Sequence, residues 1–370
     1  MNDELTRYIS QIKAADRDAM KAAQERLDSL VKPPGSLGAL ESIAVALAGM
    51  SGKVVNDVSK RCVVVMSSDN GVVEEGVSSA PQSVTCTQTV NFVKGLTGVA
   101  VLAKLFHADL IVVDVGVNAD LEHPLIVNRK IRKSTWNIAK QDAMTYGEAE
   151  RAVLIGVETA IEAVENGYAM IGVGDMGIGN TTTSSAVLCA MTGLSADLSA
   201  GKGAGLDVGD YRHKIEVIKT ALQNNKPDPS DPVDVLAKVG GFDIAAMAGV
   251  YIGAAYKRVP AVIDGFISTV AALAAYRLSP IAREYMLPSH ASFEQGYSHA
   301  SLIGTHWFQW IDQPNTGRGD GENYNIGFVD ITDRPYPDMV EAMKTTFGRL
   351  YDVHSGKMPP YDVKPKIQSY

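Results

Sequence analysis

The sequence predicts an α/β fold, a Rossmann-like parallel sheet flanked by helices, with a small helical subdomain built from the N- and C-terminal regions. Three observations carry this. Short, continuous β-branched runs at residues 62–66 (CVVVM), 110–115 (LIVVDV) and 170–173 (MIGV) lack the alternation of a half-solvated strand, so they read as strands covered on both faces. Each run precedes or follows an amphipathic segment of about 12–18 residues, the length of a covering helix. Polar and Gly-rich residues gather directly after the runs, where parallel sheets build their ligand loops: Ser67-Ser68-Asp69-Asn70-Gly71, Gly116-Val117-Asn118 and Gly174-Asp175-Met176-Gly177.

In chain order, residues 3–30 are polar and amphipathic with few helix breakers, and predict one or two helices. Lys32-Pro33-Pro34-Gly35-Ser36-Leu37-Gly38 ends that pattern sharply. A helix (ALESIAVALAGMSG) follows, then the three strands with their helices. The apolar, Ala-rich stretch 242–275 holds a further strand at 260–263. About six strands are expected in all, near the usual sheet size. The end of the chain reads as irregular, an arm over a neighbour. The expected division is a large nucleotide-binding domain, 31–283, and a small, mainly helical subdomain with a C-terminal arm, 1–30 and 284–370.

Composition narrows the function. The 370 residues are 46% apolar and 21% charged, ordinary for a soluble globular protein. A net charge of −8 argues against a nucleic-acid or anionic-membrane surface, but a small anionic substrate needs only a loop and one or two basic side chains. Cys62, Cys86 and Cys189 are widely spaced and form no CxxC, so neither a disulfide framework nor a zinc site is indicated. The charged, helical start is unlike a signal peptide, and glycine or polar residues break every apolar stretch short of a membrane span. The expectation is a cytoplasmic protein without cofactor. His290, His299 and His306 have spacings that suit no standard metal motif, and Trp136, Trp307 and Trp310 read as packing residues. No GxSxG elbow supports hydrolase chemistry.

The most informative segment spans 171–186: Ile171-Gly172-Val173-Gly174-Asp175-Met176-Gly177-Ile178-Gly179-Asn180-Thr181-Thr182-Thr183-Ser184-Ser185-Ala186. A strand enters a Gly-rich loop, a Thr/Ser cluster and then an apolar helix. Glycines let backbone approach a ligand, and the free N–H groups and dipole of a helix start favour an anion. That reads as a phosphate site, although the loop is neither a Walker A nor a GxGxxG element. The same residues also suit an N-capped helix after a tight turn.

This segment closely resembles the GEMGIGNTT element of the nicotinate mononucleotide:5,6-dimethylbenzimidazole phosphoribosyltransferase family. Further matches follow in family order. Residues 32–41 (KPPGSLGALE) resemble the N-terminal PGSLG-x-LE element. Pro81-Gln82-x-Val84-Thr85, with Gln88 and Asn91-Phe92, is similar to the segment lining the base pocket. VVDVGV at 112–117, GGFDIAAMAG at 240–249 and DGFIST at 264–269 also fit. The resemblance covers roughly residues 25–300 and implies transfer of ribose 5-phosphate from nicotinate mononucleotide to the lower-ligand base of a cobamide. It implies a phosphate cradle at Gly177, Gly179, Asn180, Thr181 and Thr182, joined by Gly203 in a second Gly-rich loop, by Ser292 and by Lys214, where the family has its phosphate lysine. The alternative for Lys214 is a solvated helix lysine. Ala80, Pro81, Gln88, Met176 and Phe266 fall at the base pocket.

Two departures bear on the chemistry. Asp175 replaces a family glutamate, a carboxylate one methylene shorter, and reads either as a base or as a turn-forming residue. The family's RLGEGTGAA stretch, which carries the catalytic glutamate, corresponds here to Asn315-Thr316-Gly317-Arg318-Gly319-Asp320-Gly321, with Arg318 at the glutamate's place and Glu322 just beyond. Upstream, Tyr297 replaces a family histidine. An arginine whose pKa stays above ~12 cannot take a proton. Three readings stay open: Asp320 or Glu322 rebuilds the carboxylate, Asp175 is the base, or the chain is catalytically silent beside an active homologue. The last has a counterpart in the family branch that activates phenol and p-cresol with two unlike homologous subunits. Family members pair as dimers, so the partners implied are the nucleotide, an aromatic base and a homologous subunit.

Overall fold

The computed structural model describes residues 2–201 and 208–289. The chain divides into two units, Met1–Met286 and Leu287–Tyr370. The strands are β1 (Arg61–Ser68), β2 (Ala108–Gly116), β3 (Ile126–Asn128), β4 (Met170–Met176), β5 (Ala261–Ile263) and β6 (Met286–Pro288). The four runs read from the sequence all appear, as β1, β2, β4 and β5. The two short strands that the pattern did not mark, β3 and β6, are three residues each, too brief for an apolar period to register.

Local chemistry places the helices. In α1 (Asp3–Ser10) and α2 (Arg17–Ser29) the caps Asn2 and Asp16 accept backbone N–H bonds, and α3 (Ala39–Ser51) stops at Gly52. Next come α4 (Ser83–Val93) and α5 (Gly98–Leu105), the latter capped by Thr97. Helix α6 (Tyr146–Glu165) starts in a reciprocal capping box, Thr145 with Glu148. Then follow α7 (Asn180–Thr192), α8 (Ala196–Ser199), α9 (Val208–Asn225) and α10 (Pro232–Val239), whose Pro232 follows the Asp231 cap. Last are α11 (Phe242–Tyr256) and α12 (Gly265–Leu278).

The six strands lie in the order β3-β2-β1-β4-β5-β6, and the pairings from β3 through β5 are parallel. On one face Val65 and Val112 meet Phe92 of α4, with Val63, Val90 and Leu110 packed around them. Helix α11 is buried at every residue but its last, lying against β1, β2 and β4 and covered in turn by α6 and α12. The backbones of α6 and α11 approach so closely that a Cβ at Gly249 would fall on the Val153 carbonyl. At about 1.5–3 kcal/mol for each large apolar side chain buried, this layer anchors the sheet. Among the described residues no helix is long and apolar enough to cross a membrane.

The order also locates the site. From β1 the chain builds outward to β2 and β3, then returns across β1 to build β4, β5 and β6 on its other side. A parallel sheet holds its ligand in the crevice opened where the order reverses, here beyond the carboxyl ends of β1 and β4. The register sets Ser67 beside both Asp114 and Met176, so the three polar loops noted in the sequence emerge side by side.

Candidate functional site

Gly177–Asn180 turn the chain from β4 into α7. Gly179, the cap residue, has φ +92° and no side chain caps the helix. The amides of Ile178, Asn180 and Thr182 are taken by Thr85 Oγ1, the Gly177 carbonyl and the Gly179 carbonyl. Those of Gly177, Gly179 and Thr181 have no protein acceptor among the described residues, an alternating set that suits an anion. Gly177 admits no side chain, since a Cβ there would strike Asp243 Oδ2 and the Ser68 carbonyl. Thr182 and Ser184 are fully buried, and their hydroxyls lack partners among the described residues.

Lys214 points at this loop from α9. It is not the solvated lysine its helix allowed: it is 0% exposed, and its Nζ donates to Thr181 Oγ1 at 2.8 Å and to the Gly201 carbonyl at 3.0 Å. An ammonium has three donors, and among the described residues only these two are used. Burial pushes its pKa down to about 8, because the charged form is poorly solvated there. A phosphate would restore the charge.

Beneath the loop lies a carboxylate pair. Asn180 Nδ2 donates to Asp175 Oδ2 at 2.8 Å and to Asp243 Oδ2 at 3.1 Å. Asn70 Nδ2 also reaches Asp243 Oδ2, at 3.4 Å, and Asn70 Oδ1 accepts from the Thr183 hydroxyl at 3.2 Å. Burial pushes Asp243 up to about 7, helped by the charge of Asp175, and pushes Asp175 up to about 6, against the Asn180 hydrogen bond. Two carboxyls held near neutrality beside a ligand crevice can exchange protons at physiological pH, which most surface carboxylates cannot.

A second acidic group flanks the crevice on the β2 side. Asp114 accepts from the amides of Gly116 and Val117 and pairs with Lys130 at 3.2 Å, while Asp69 accepts the Asn118 amide at 2.7 Å. Burial raises the pKa of both carboxyls against these partners. Asn118 Nδ2 donates to Gln82 Oε1 at 2.8 Å, tying the Pro81-Gln82 segment to the loop after β2.

The residues selected from the sequence fall as follows. Asp175, Gly177, Gly179, Asn180, Thr181 and Lys214 come together at the end of β4. Met176 packs onto the Val65–Phe92–Val112 cluster, and Thr85 holds α4, with half-buried Gln88, against the same loop. Ala80 is half-buried and Pro81 exposed ahead of α4. Phe266 is 41% exposed at the start of α12, just beyond the end of β5, the strand that pairs with β4. Gly203, Ser292, Arg318, Asp320 and Glu322 lie outside the described residues, as do His290, His299, His306, Trp307 and Trp310. The sequence reading left Asp243, Asn70 and Lys130 without roles. Asn70 sat in a quoted strand-end loop and Asp243 in GGFDIAAMAG, so charge within an apolar helix start was the available signal.

Comparison with known proteins gives a consistent picture. A family model described as phosphoribosyltransferase matches residues 12–302. A nicotinate-nucleotide–dimethylbenzimidazole phosphoribosyltransferase of Ruminiclostridium cellulolyticum is 54% identical over 288 residues, 78% of this chain and 82% of the relative. One from Clostridioides difficile is 42% identical over 339 residues, 91% and 97% of the two chains. A crystal structure of CobT from Thermus thermophilus superposes with a TM-score of 0.71 at 38% identity, covering 74% of this chain and 82% of that one.

Proposed function

This chain belongs to the phosphoribosyltransferase family named by these matches, and from that premise we propose that it binds nicotinate mononucleotide and transfers its ribose 5-phosphate to an aromatic lower-ligand base, dimethylbenzimidazole or a phenol. The observation that carries the proposal is the loop Gly177–Thr182 with Lys214 aimed at it, a buried cation beside amides that have no acceptor among the described residues. In this reading the phosphate sits on the loop and Lys214, and the base occupies the side bounded by Ala80, Pro81, Gln88 and Met176, with Phe266 at its margin. The base forms a bond to C1′ as the C1′–N bond breaks, its electron pair leaving with nicotinate. Asp175, at a pKa of about 6, is the described carboxylate closest in role to a proton acceptor. Asp320 and Glu322 are the other candidates.

A second reading is favoured by Arg318 at the glutamate's place. There the chain binds the nucleotide without turnover, as a diverged subunit beside an active homologue in a heterodimer. The deciding experiment follows nicotinate release by the purified chain alone, given nicotinate mononucleotide with dimethylbenzimidazole, phenol or p-cresol. Turnover by the lone chain removes the silent reading. Nucleotide binding without turnover, restored by Arg318→Glu or by an added homologue, removes the self-sufficient enzyme. If calorimetry detects no nucleotide binding, both fail.

A further inference from the structure

Asp243 is fully buried in the first turn of α11, in an otherwise apolar helix. A buried carboxylate is tolerated only when its lone pairs are used, and this one accepts three bonds: the Ile244 amide at 3.0 Å, Asn180 Nδ2 at 3.1 Å and Asn70 Nδ2 at 3.4 Å. The partners close a ring. Thr183, one turn along α7 from Asn180, donates to Asn70 Oδ1, which orients the Asn70 amide so that its NH2 faces Asp243. Asn180 has both amide hydrogens committed, one to Asp243 and one to Asp175, so its side chain has a single orientation. Its own N–H closes the Gly177–Asn180 turn, and Asp243 Oδ2 packs against Gly177. The ring thus meets the loop that the phosphate is to occupy at Gly177 and Asn180, with Asp243 itself fully buried.

We infer that Asp243 is a positioning residue of the nucleotide site: it fixes the Asn180 carboxamide, and through it the Gly177–Thr182 loop and the Asp175 carboxylate, in the arrangement that receives the nucleotide. The inference rests on the nucleotide-binding reading above. A residue that acts through another gives non-additive effects when both are changed, whereas two residues that act on the site independently give additive ones. Asp243→Asn keeps the shape but sets an NH2 against a neighbouring donor, and Asn180→Ala removes the bridge.

The test is a double-mutant cycle on the full chain with two readouts. By calorimetry with nicotinate mononucleotide, each single variant is expected to bind at least 10-fold more weakly than wild type, and Asp243→Asn to add less than twofold in the Asn180→Ala background. By hydrogen–deuterium exchange on the ligand-free protein, the peptide covering 174–182 is expected to exchange faster in both variants, with α6 and β2 unchanged. Additive losses, or wild-type affinity in either variant, overturn the inference while leaving nucleotide binding intact. Should Asp243→Asn fail to fold, Asn180→Ala decides alone: wild-type affinity and exchange in that variant overturn the role. If the wild type binds no nucleotide, the functional reading falls and takes this role with it.

Discussion

Lys214 shows how far one residue's environment changes its chemistry. In RHKIEVIKTAL it has the surroundings of an ordinary helix lysine, yet the fold buries it and spends two donors on Thr181 and Gly201. With a pKa of about 8 the free site is partly neutral at pH 8, and an anion that binds there must draw a proton in. Nucleotide affinity is therefore expected to fall as pH rises above about 8, with net proton uptake at pH 8 when calorimetry is repeated in buffers of different ionisation enthalpy. Absence of uptake would place the phosphate elsewhere. Lys214→Met removes a charge-assisted hydrogen bond worth about 1.5–3 kcal/mol, a loss of ~10- to 100-fold in affinity. The sequence identified this lysine through family resemblance, but its burial and its hydrogen bonds belong to the assembled structure.

The elements carry a different lesson. Strands β1, β2 and β4 were legible because a covered parallel strand needs an unbroken apolar run, whereas β3 and β6 borrow their place from the neighbours that pair with them. The α6–α11 layer was legible only as apolar composition. Its tightness comes from Gly156 and Gly249 meeting backbone to backbone, and Gly249→Ala tests it. Alanine gains up to about 1 kcal/mol of helix propensity over glycine, but overpacking costs about 1–3 kcal/mol. Because the obstacle is the Val153 backbone carbonyl, the cost should prevail. Chemical denaturation is expected to show a lower midpoint for Gly249→Ala, and a midpoint equal to or above wild type would count against the close packing of α6 on α11.

For the whole molecule, the two raised carboxyls make stability depend on pH in an unusual direction. Asp175 and Asp243 titrate near 6 and 7 in the folded chain against a reference of 3.8, so folding favours their protonated forms. The stability they supply is complete below about pH 4 and is lost as pH rises through 6 and 7. Asp243→Asn lacks the share of that dependence that Asp243 supplies. Its melting temperature minus that of wild type should climb between pH 5 and pH 8 by about 2 °C or more, even if the broken ring lowers the absolute value. A flat difference would mean that Asp243 stays ionised throughout. Such a site stores folding free energy in exchange for carboxyls that can change state at working pH.

What the sequence determined by itself is local: which runs are strands, where the polar loops leave them, and which loop and lysine resemble a phosphate site. Those follow from periodicity, turn chemistry and short motifs, all written within a few dozen residues. Only the tertiary structure decided that Asn70 and Asp243, separated by 173 positions, share a hydrogen bond, and that Asn180 bridges two carboxylates. The reason is topological and electrostatic. Building β4 against β1 after the excursion to β3 brings distant loops to one crevice, and once water is excluded there each buried carboxylate must find its donors among whatever the other loops supply.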